Sequence, residues 1–193
     1  MSPEARSVVL LFHLVAMLFM AAPLYMLIMV NERARFAVPP GYNTDRYLEN
    51  IIKRQPIRCY AYLVVILVTG ILLLWARDWT WTDWALIAKL VAFAILVGTL
   101  SYVHFNIQPR IERVLEGCNP GEEVAVEKRP TLIAWRSRRK RLSAVCLFLV
   151  LTALIMGARL TWGYAPWLVA LFMVVAALFA WRVYRRPVSL GWI

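Results

Sequence analysis

Groups that commonly perform catalysis are scarce in this chain. Its 193 residues include two histidines, three cysteines, and 11 acidic residues against 22 lysines and arginines. No Ser-His-Asp grouping, HExxH sequence, Walker loop or GxGxxG motif is present, so the sequence does not support a hydrolase or a nucleotide-binding protein. Cys59, Cys118 and Cys146 lack CxxC-type spacing, and we expect reduced thiols rather than disulfides.

Long apolar runs dominate what remains, since 62% of the residues are hydrophobic. Each run has about the ~20 residues that an α-helix needs to cross a bilayer. We therefore predict an all-α integral membrane protein. It has one transmembrane domain, residues 1–193, with a four-helix-bundle-like core, one extra C-terminal helix and a first span that is retained. The five predicted spans are 8–30, 59–76, 84–107, 142–160 and 166–181.

The positive charge is arranged beside these spans. The formal net charge is +11, and 18 of the 22 lysines and arginines lie in connections 31–58 and 108–141 and in the C-terminal tail. Because basic connections stay in the cytoplasm, we predict a multi-pass protein of the bacterial inner membrane, with its N-terminus outside and its C-terminus cytoplasmic. The lipid bilayer is then its first partner. No nucleic-acid fold signature accompanies the charge, and no nucleic-acid partner is predicted.

Two connections carry features of the membrane interface. Residues 44–55 have an amphipathic pattern that is typical of a short helix lying at the bilayer surface. Trp79, Trp81 and Trp84 lie close together between the second and third spans, as in an aromatic belt at headgroup depth. Asp83 or Thr82 is expected to cap the third span, and Pro109 to end it. Short outer turns make the second and third spans, and the fourth and fifth, antiparallel neighbours.

Ionisable residues inside a span are costly and often mark a functional site. His13 lies about five residues from the outer end of the first span, roughly 8 Å deep. Lys89 is equally deep in the third span, so the two side chains are level. His104 lies about fifteen residues further along, roughly 22 Å below Lys89. That separation argues against a haem held between the two histidines.

Each of these residues also has a structural interpretation. Lys89 can extend to the outer headgroups, His13 can hydrogen-bond between helices, and His104 can be solvated at the inner boundary. Met17 and Met20 continue the face of His13; a thioether beside an imidazole can ligate haem iron or copper, although methionines usually only pack. Cys59 and Cys146 share the depth of His104, which leaves a soft-metal site there as a further alternative. Arg159 can pair with Asp78 or Asp83, or with a haem propionate.

The first three spans resemble one group of small membrane bundles, the HemJ-type protoporphyrinogen oxidases and their CopD-like relatives. In the HemJ-type proteins, a histidine of the first helix binds haem b and a lysine of the third helix lies beside it. The resemblance implies those roles for His13 and Lys89. It is carried by Phe12-His13-Leu14, residues 25–35, residues 61–74 (AYLVVILVTGILLL), and Trp84 followed by Ala88-Lys89-Leu90.

These observations lead to one functional hypothesis and two alternatives. The first is a redox-active membrane protein that binds haem b and either oxidises a porphyrinogen or passes electrons to quinone. Its catalytic residue is Lys89, its cofactor-binding residues are His13, Met17 and Arg159, and its metal ligand is His13. The alternatives are a non-catalytic transmembrane subunit of a respiratory or photosynthetic complex, and a copper-handling protein. Other membrane subunits, or further copies of this chain, are the expected protein partners.

Overall fold

A computed structural model describes residues 1–33, 55–76, 83–116 and 124–185 of the chain. Within these ranges the protein is helical and has no strand. Five stretches of helix are long and apolar enough to cross a membrane, which confirms the predicted all-α membrane architecture. The helices are α1 (Pro3–Arg33), α2 (Gln55–Trp75), α3 (Trp84–Tyr102), α4 (Gln108–Leu115), α5 (Arg129–Trp162) and α6 (Pro166–Arg185).

The two ends of the bundle differ in composition. At one end, called here the tryptophan end, Trp75, Trp84, Trp162 and Trp167 are all exposed. The other end, called here the arginine end, holds α4 and the basic stretch 136–141 of α5. The predicted interfacial helix 44–55 lies outside the described residues apart from Gln55, as do Trp79 and Trp81.

The third span continues past Pro109, so the predicted helix end at this residue is wrong. A π-helical turn, Val103–Ile107, joins α3 to α4, and the Gln108 amide bonds to the carbonyl of Val103, five residues back. Proline has no N–H, and its ring clashes with the carbonyl four residues earlier in a regular α-helix. The wider turn gives Pro109 room near the start of α4, where a missing donor costs little.

The helix that contains the fourth span begins before the predicted span, because α5 starts at Arg129 rather than near Leu142. Its 34 residues correspond to about 51 Å at 1.5 Å per residue, well beyond the ~30 Å of a bilayer core. The basic residues assigned to the connection 108–141 therefore lie largely in helices rather than in a loop. Gly163 ends the helix in a left-handed conformation, with φ of 69°.

The helices pack as two pairs with α6 outside. α1 lies along α2, α3 lies along α5, and α6 packs mainly on α5. The predicted neighbours α5 and α6 are thus confirmed. The prediction that the second and third spans are neighbours is wrong, because α2 packs along α1 and α3 along α5. α2 and α3 touch at the arginine end, where the Tyr60 hydroxyl donates to Ser101 Oγ at 3.0 Å. Nearby, a tightly packed group of Ile107, Ile111, Leu115 and Leu132 joins α4 to α5.

Candidate functional site

A cavity of about 160 Å³ separates the two helix pairs in the half of the bundle nearer the tryptophan end. Four helices line it: α1, α2, α3 and α5. Its walls are apolar except for His13, Lys89 and Thr161. Leu14, Leu67 and Leu154 also line it and are exposed on the outside of the bundle, so the cavity borders the lipid-facing surface.

His13 is buried at 3% exposure and is held in one orientation. Its Nδ1 lies 2.8 Å from Thr69 Oγ1, and that hydroxyl lies 2.6 Å from the carbonyl oxygen of Val65. A hydroxyl has one hydrogen, which Thr69 donates to the carbonyl, so its oxygen accepts from His13. The proton of the neutral imidazole is therefore on Nδ1, and the lone pair is on Nε2.

Lys89 occupies the position facing that lone pair. Its Nζ lies 3.4 Å from His13 Nε2, which confirms the predicted proximity of the two side chains. An ammonium donates and a neutral imidazole nitrogen accepts, so the contact completes a chain from Lys89 through His13 and Thr69 to the Val65 carbonyl. Protonation of His13 would place a second cation at this distance without an acceptor, so the contact requires the neutral ring.

Two glycines leave space for this pair. A Cβ on Gly70 would lie 3.5 Å from His13 Cε1, which is ordinary contact, whereas a Cβ on Gly157 would lie 3.2 Å from Lys89 Nζ. Both glycines line the cavity. A larger residue at Gly157 would therefore push the ammonium away from His13 or fill the space beside it.

Met17 and Met20 are buried and line the same cavity as His13. Successive turns of α1 thus present an imidazole and two thioethers to one space, as the helical spacing predicted. Among the described residues, no group of three or more His, Cys, Asp or Glu side chains is arranged to hold a metal ion. Any metal bound here would depend on His13 together with thioethers or with ligands that the metal brings.

Arg159 lies about one turn before the C-terminal end of α5 and is not among the residues that line the cavity. One of its terminal nitrogens lies 3.8 Å from a Cβ built on Gly163. Asp83, a predicted partner, caps α3 instead by accepting a hydrogen bond from the Ala85 amide at 2.8 Å. Asp78, the other predicted partner, lies outside the described residues.

His104 and the two described cysteines are at the other end of the bundle. His104 is in the π-helical turn, and its ring meets Tyr60 edge-on, 6.0 Å between centroids. Cys59 and Cys146 are buried free thiols, and Cys118 lies outside the described residues. His104 belongs to no group of three metal-ligating side chains in the part of the chain that the structure describes.

Three residues of the site were missed from the sequence: Thr69, Gly70 and Gly157. Thr69 and Gly70 interrupt the apolar run of the second span, and that interruption was the available signal. Gly157 gave less warning, because glycine is common in transmembrane helices. Their roles depend on which helix faces them.

Comparisons with protein-family models, with curated proteins and with solved structures give no match to this chain. The resemblance of the first three spans to the HemJ-type and CopD-like bundles therefore stays a prediction.

Proposed function

We propose that this chain is a redox-active membrane protein that binds haem b through Nε2 of His13. The supporting observation is the contact between His13 Nδ1 and Thr69 Oγ1, from which the tautomer of His13 follows. Ligating histidines usually donate their second ring N–H to an oxygen, which fixes the ring and makes the other nitrogen a better ligand. Thr69 provides that oxygen at 2.8 Å from Nδ1, and Nε2 faces an apolar cavity.

The surroundings of His13 suit a flat apolar group in several respects. The walls carry small residues, including Gly70, Gly157 and Ala153, and methionine side chains that adapt to a ring. The enclosed volume of about 160 Å³ is smaller than the ~300–1,000 Å³ typical of pockets for drug-sized ligands. A tetrapyrrole would therefore extend through the open side of the cavity towards lipid.

The Lys89 ammonium has to move away from His13 Nε2 before a metal can bind to that nitrogen. Its side chain has four rotatable carbon bonds and a small, mobile charge, so this costs only a weak hydrogen bond at 3.4 Å. Once displaced, the ammonium remains beside the cavity, where it can pair with an acidic group of the ligand or deliver a proton. When bound, haem supplies one-electron chemistry; His13 orients it, Lys89 holds a proton at Nζ, and the apolar walls exclude water.

The absorption spectrum of the purified full chain, produced in cells supplied with haem precursors, tests this proposal. We expect a Soret band that is lost in His13→Ala and kept in His104→Ala. The two variants are a matched pair, because these are the only histidines of the chain. A Soret band that survives His13→Ala, or a colourless wild-type protein, contradicts haem binding at His13.

The size of the cavity favours a second candidate, the binding of a membrane quinone without haem. Cavities near 150 Å³ accept a single six-membered ring, which matches the enclosed volume of about 160 Å³. A quinone head would place a carbonyl oxygen against Lys89 Nζ, and its apolar tail would leave through the open side. In this arrangement Lys89 donates directly to the ligand and keeps its contact with His13.

Solvent extraction of the same preparation distinguishes the candidates. Quinone near one equivalent per chain, no Soret band, and at least about tenfold less quinone in Lys89→Met would favour the second candidate, since a hydrogen bond to a charged donor is worth ~1.5–3 kcal/mol. Copper retained without haem, and lost in Met17→Leu or Met20→Leu, would instead favour the copper-handling hypothesis. Haem lost only with His13 favours the first.

A further inference from the structure

Two arginines at the arginine end lie against one indole ring. The guanidinium carbon of Arg110, from α4, is 4.7 Å from the centroid of Trp135, and that of Arg138 is 5.8 Å from it. Arg138 also lies 5.5 Å from the ring of Tyr102. Both arginines are exposed. Stacking restricts their side chains and holds two forks of N–H donors in one small region of the surface.

The π-helical turn brings the side chains of Tyr102 and Arg110 closer to one direction. The two residues are eight apart, so in a regular α-helix their side chains would point about 80° apart. A π-helical turn takes up about one additional residue. Tyr102 and Arg110 are thereby separated by about two α-helical turns, and both point towards α5, where Arg138 and Trp135 lie one turn apart.

Arg139, next in sequence to Arg138, has a different environment. It is 9% exposed, and one of its terminal nitrogens donates to Gln108 Oε1 at 3.0 Å. Gln108 in turn donates to Glu112 Oε1 at 3.2 Å. An acidic residue of α4 is thus linked to Arg139 through Gln108. Within the described residues, Arg110 and Arg138 contact aromatic rings rather than carboxylates.

Their depth places these two arginines among lipid headgroups. With Trp84 at one boundary of the hydrocarbon, Tyr102 is about 27 Å further along the helix, close to the other boundary. Arg138 is roughly 36 Å from Trp162 along α5, about 6 Å beyond the ~30 Å core and so at headgroup depth. Arg110 lies against the same indole ring as Arg138 and therefore at a similar level. Phosphate groups of phospholipids occupy that layer.

We propose that Arg110 and Arg138, positioned by Trp135 and Tyr102, bind the phosphate of an anionic phospholipid. Arginine forks match phosphate oxygens in pairs, and two of them on adjacent helices provide enough donors for one phosphate. A general attraction to anionic lipid depends only on charge. This site depends in addition on the shape of the guanidinium and on the stacking that holds it.

Native mass spectrometry of the detergent-purified full chain, titrated with phosphatidylglycerol and separately with phosphatidylcholine, tests the proposal. We expect phosphatidylglycerol to bind the double variant R110Q/R138Q on the order of tenfold more weakly than the wild type. R113Q/R182Q removes the same charge from two exposed arginines at the same end and is expected to stay within about twofold of wild type, because isolated exposed charges contribute little to a specific contact.

A conservative variant separates a built site from simple charge. R110K/R138K keeps both positive charges but loses the planar forks, and we expect it to lose most of the binding that R110Q/R138Q loses. Full binding by R110K/R138K, or equal losses in R113Q/R182Q, would overturn the proposal. So would inorganic phosphate competing fully at millimolar concentration, because the site would then take free phosphate rather than lipid. The melting temperature of each variant reports whether it folds.

Discussion

The two polar groupings of the bundle contrast in how their charges are satisfied. At the arginine end, Arg139 is linked through Gln108 to Glu112, and the apolar residues beside it, such as Ile107, are completely buried. At the cavity, Lys89 contacts one neutral imidazole at 3.4 Å and otherwise borders open apolar space. Close packing and paired polar groups stabilise a fold, whereas an apolar cavity with a cation beside it destabilises it. This difference supports the proposal that the cavity is the functional region.

Truncation of a buried side chain should separate the two regions most clearly. Ile107 is fully buried, and we expect Ile107→Ala to lower the free energy of unfolding by about 2–5 kcal/mol, because a void is left in close-packed surroundings. Leu90 lines the cavity and is 40% exposed, so Leu90→Ala should cost only about 0.5 kcal/mol. Unfolding in mixed detergent micelles measures both. Equal losses would mean that the cavity is packed as tightly as the arginine end.

Removing the acceptor of His13 should have the next largest effect. Thr69→Val leaves the Nδ1 hydrogen without the oxygen that now lies at 2.8 Å, and we expect a loss of about 1–3 kcal/mol in the free energy of unfolding. Thr99→Val is the matched control, since the Thr99 hydroxyl donates only to its own helix, at the Ile95 carbonyl. It should change stability by no more than about 0.5 kcal/mol. A neutral Thr69→Val would remove the basis for the assigned tautomer.

Neutralising Lys89 should stabilise the fold while abolishing function. Lys89→Met places an apolar side chain of similar length in an apolar cavity, and we expect a gain of about 1 kcal/mol in the free energy of unfolding. A quinone that Lys89 holds directly would be lost from this variant, whereas haem held by His13 would be retained. Gln108→Leu, at the other end, should destabilise the protein, because it removes the acceptor of the Arg139 hydrogen bond. Chemical unfolding and ligand content would be measured on the same samples. A large loss of stability in Lys89→Met would assign this lysine a structural role.

Two glycine substitutions should give the smallest difference in stability. A Cβ on Gly98 meets no atom within 4 Å, so Gly98→Ala should stabilise α3 by about 0.5–1 kcal/mol through helix propensity. A Cβ on Gly157 lies 3.2 Å from Lys89 Nζ, so Gly157→Ala should gain less and should weaken ligand binding. Thermal unfolding and ligand retention of the two variants are the measurements. Identical thermal unfolding and ligand retention in the two variants would show that displacing the Lys89 side chain does not affect ligand binding.

The sequence predicted the depth of polar residues better than the ends of helices. His13 and Lys89 were expected at one level from their positions in the first and third spans, and their side chains are in contact. Pro109 was expected to end a helix, and that prediction was wrong. The rule that proline stops a helix assumes a regular α-helical turn. The π-helical turn at Val103–Ile107 accommodates Pro109 instead, and the helix continues into α4.

The basic stretch 136–141 illustrates a second limit. Its charge indicated which ends of the spans carry the connections, but not that the stretch continues the helix of the fourth span from Arg129 to Trp162. A run of charged residues outside the bilayer is compatible with either a loop or a helix. Contacts with α4, such as the one between Arg139 and Gln108, favour the helix.

By itself, the sequence determined that the described ranges hold five helices long and apolar enough to cross a membrane, the order in which they follow, and that His13 and Lys89 lie at one level. These follow from the length of apolar runs and a fixed rise per residue. Only the tertiary structure decided which faces meet, and therefore that Thr69, Gly70 and Gly157 surround the His13–Lys89 pair. The physical reason is that lipid chains and neighbouring helices are equally apolar, so a hydrophobic pattern does not distinguish the face that packs from the face that meets lipid.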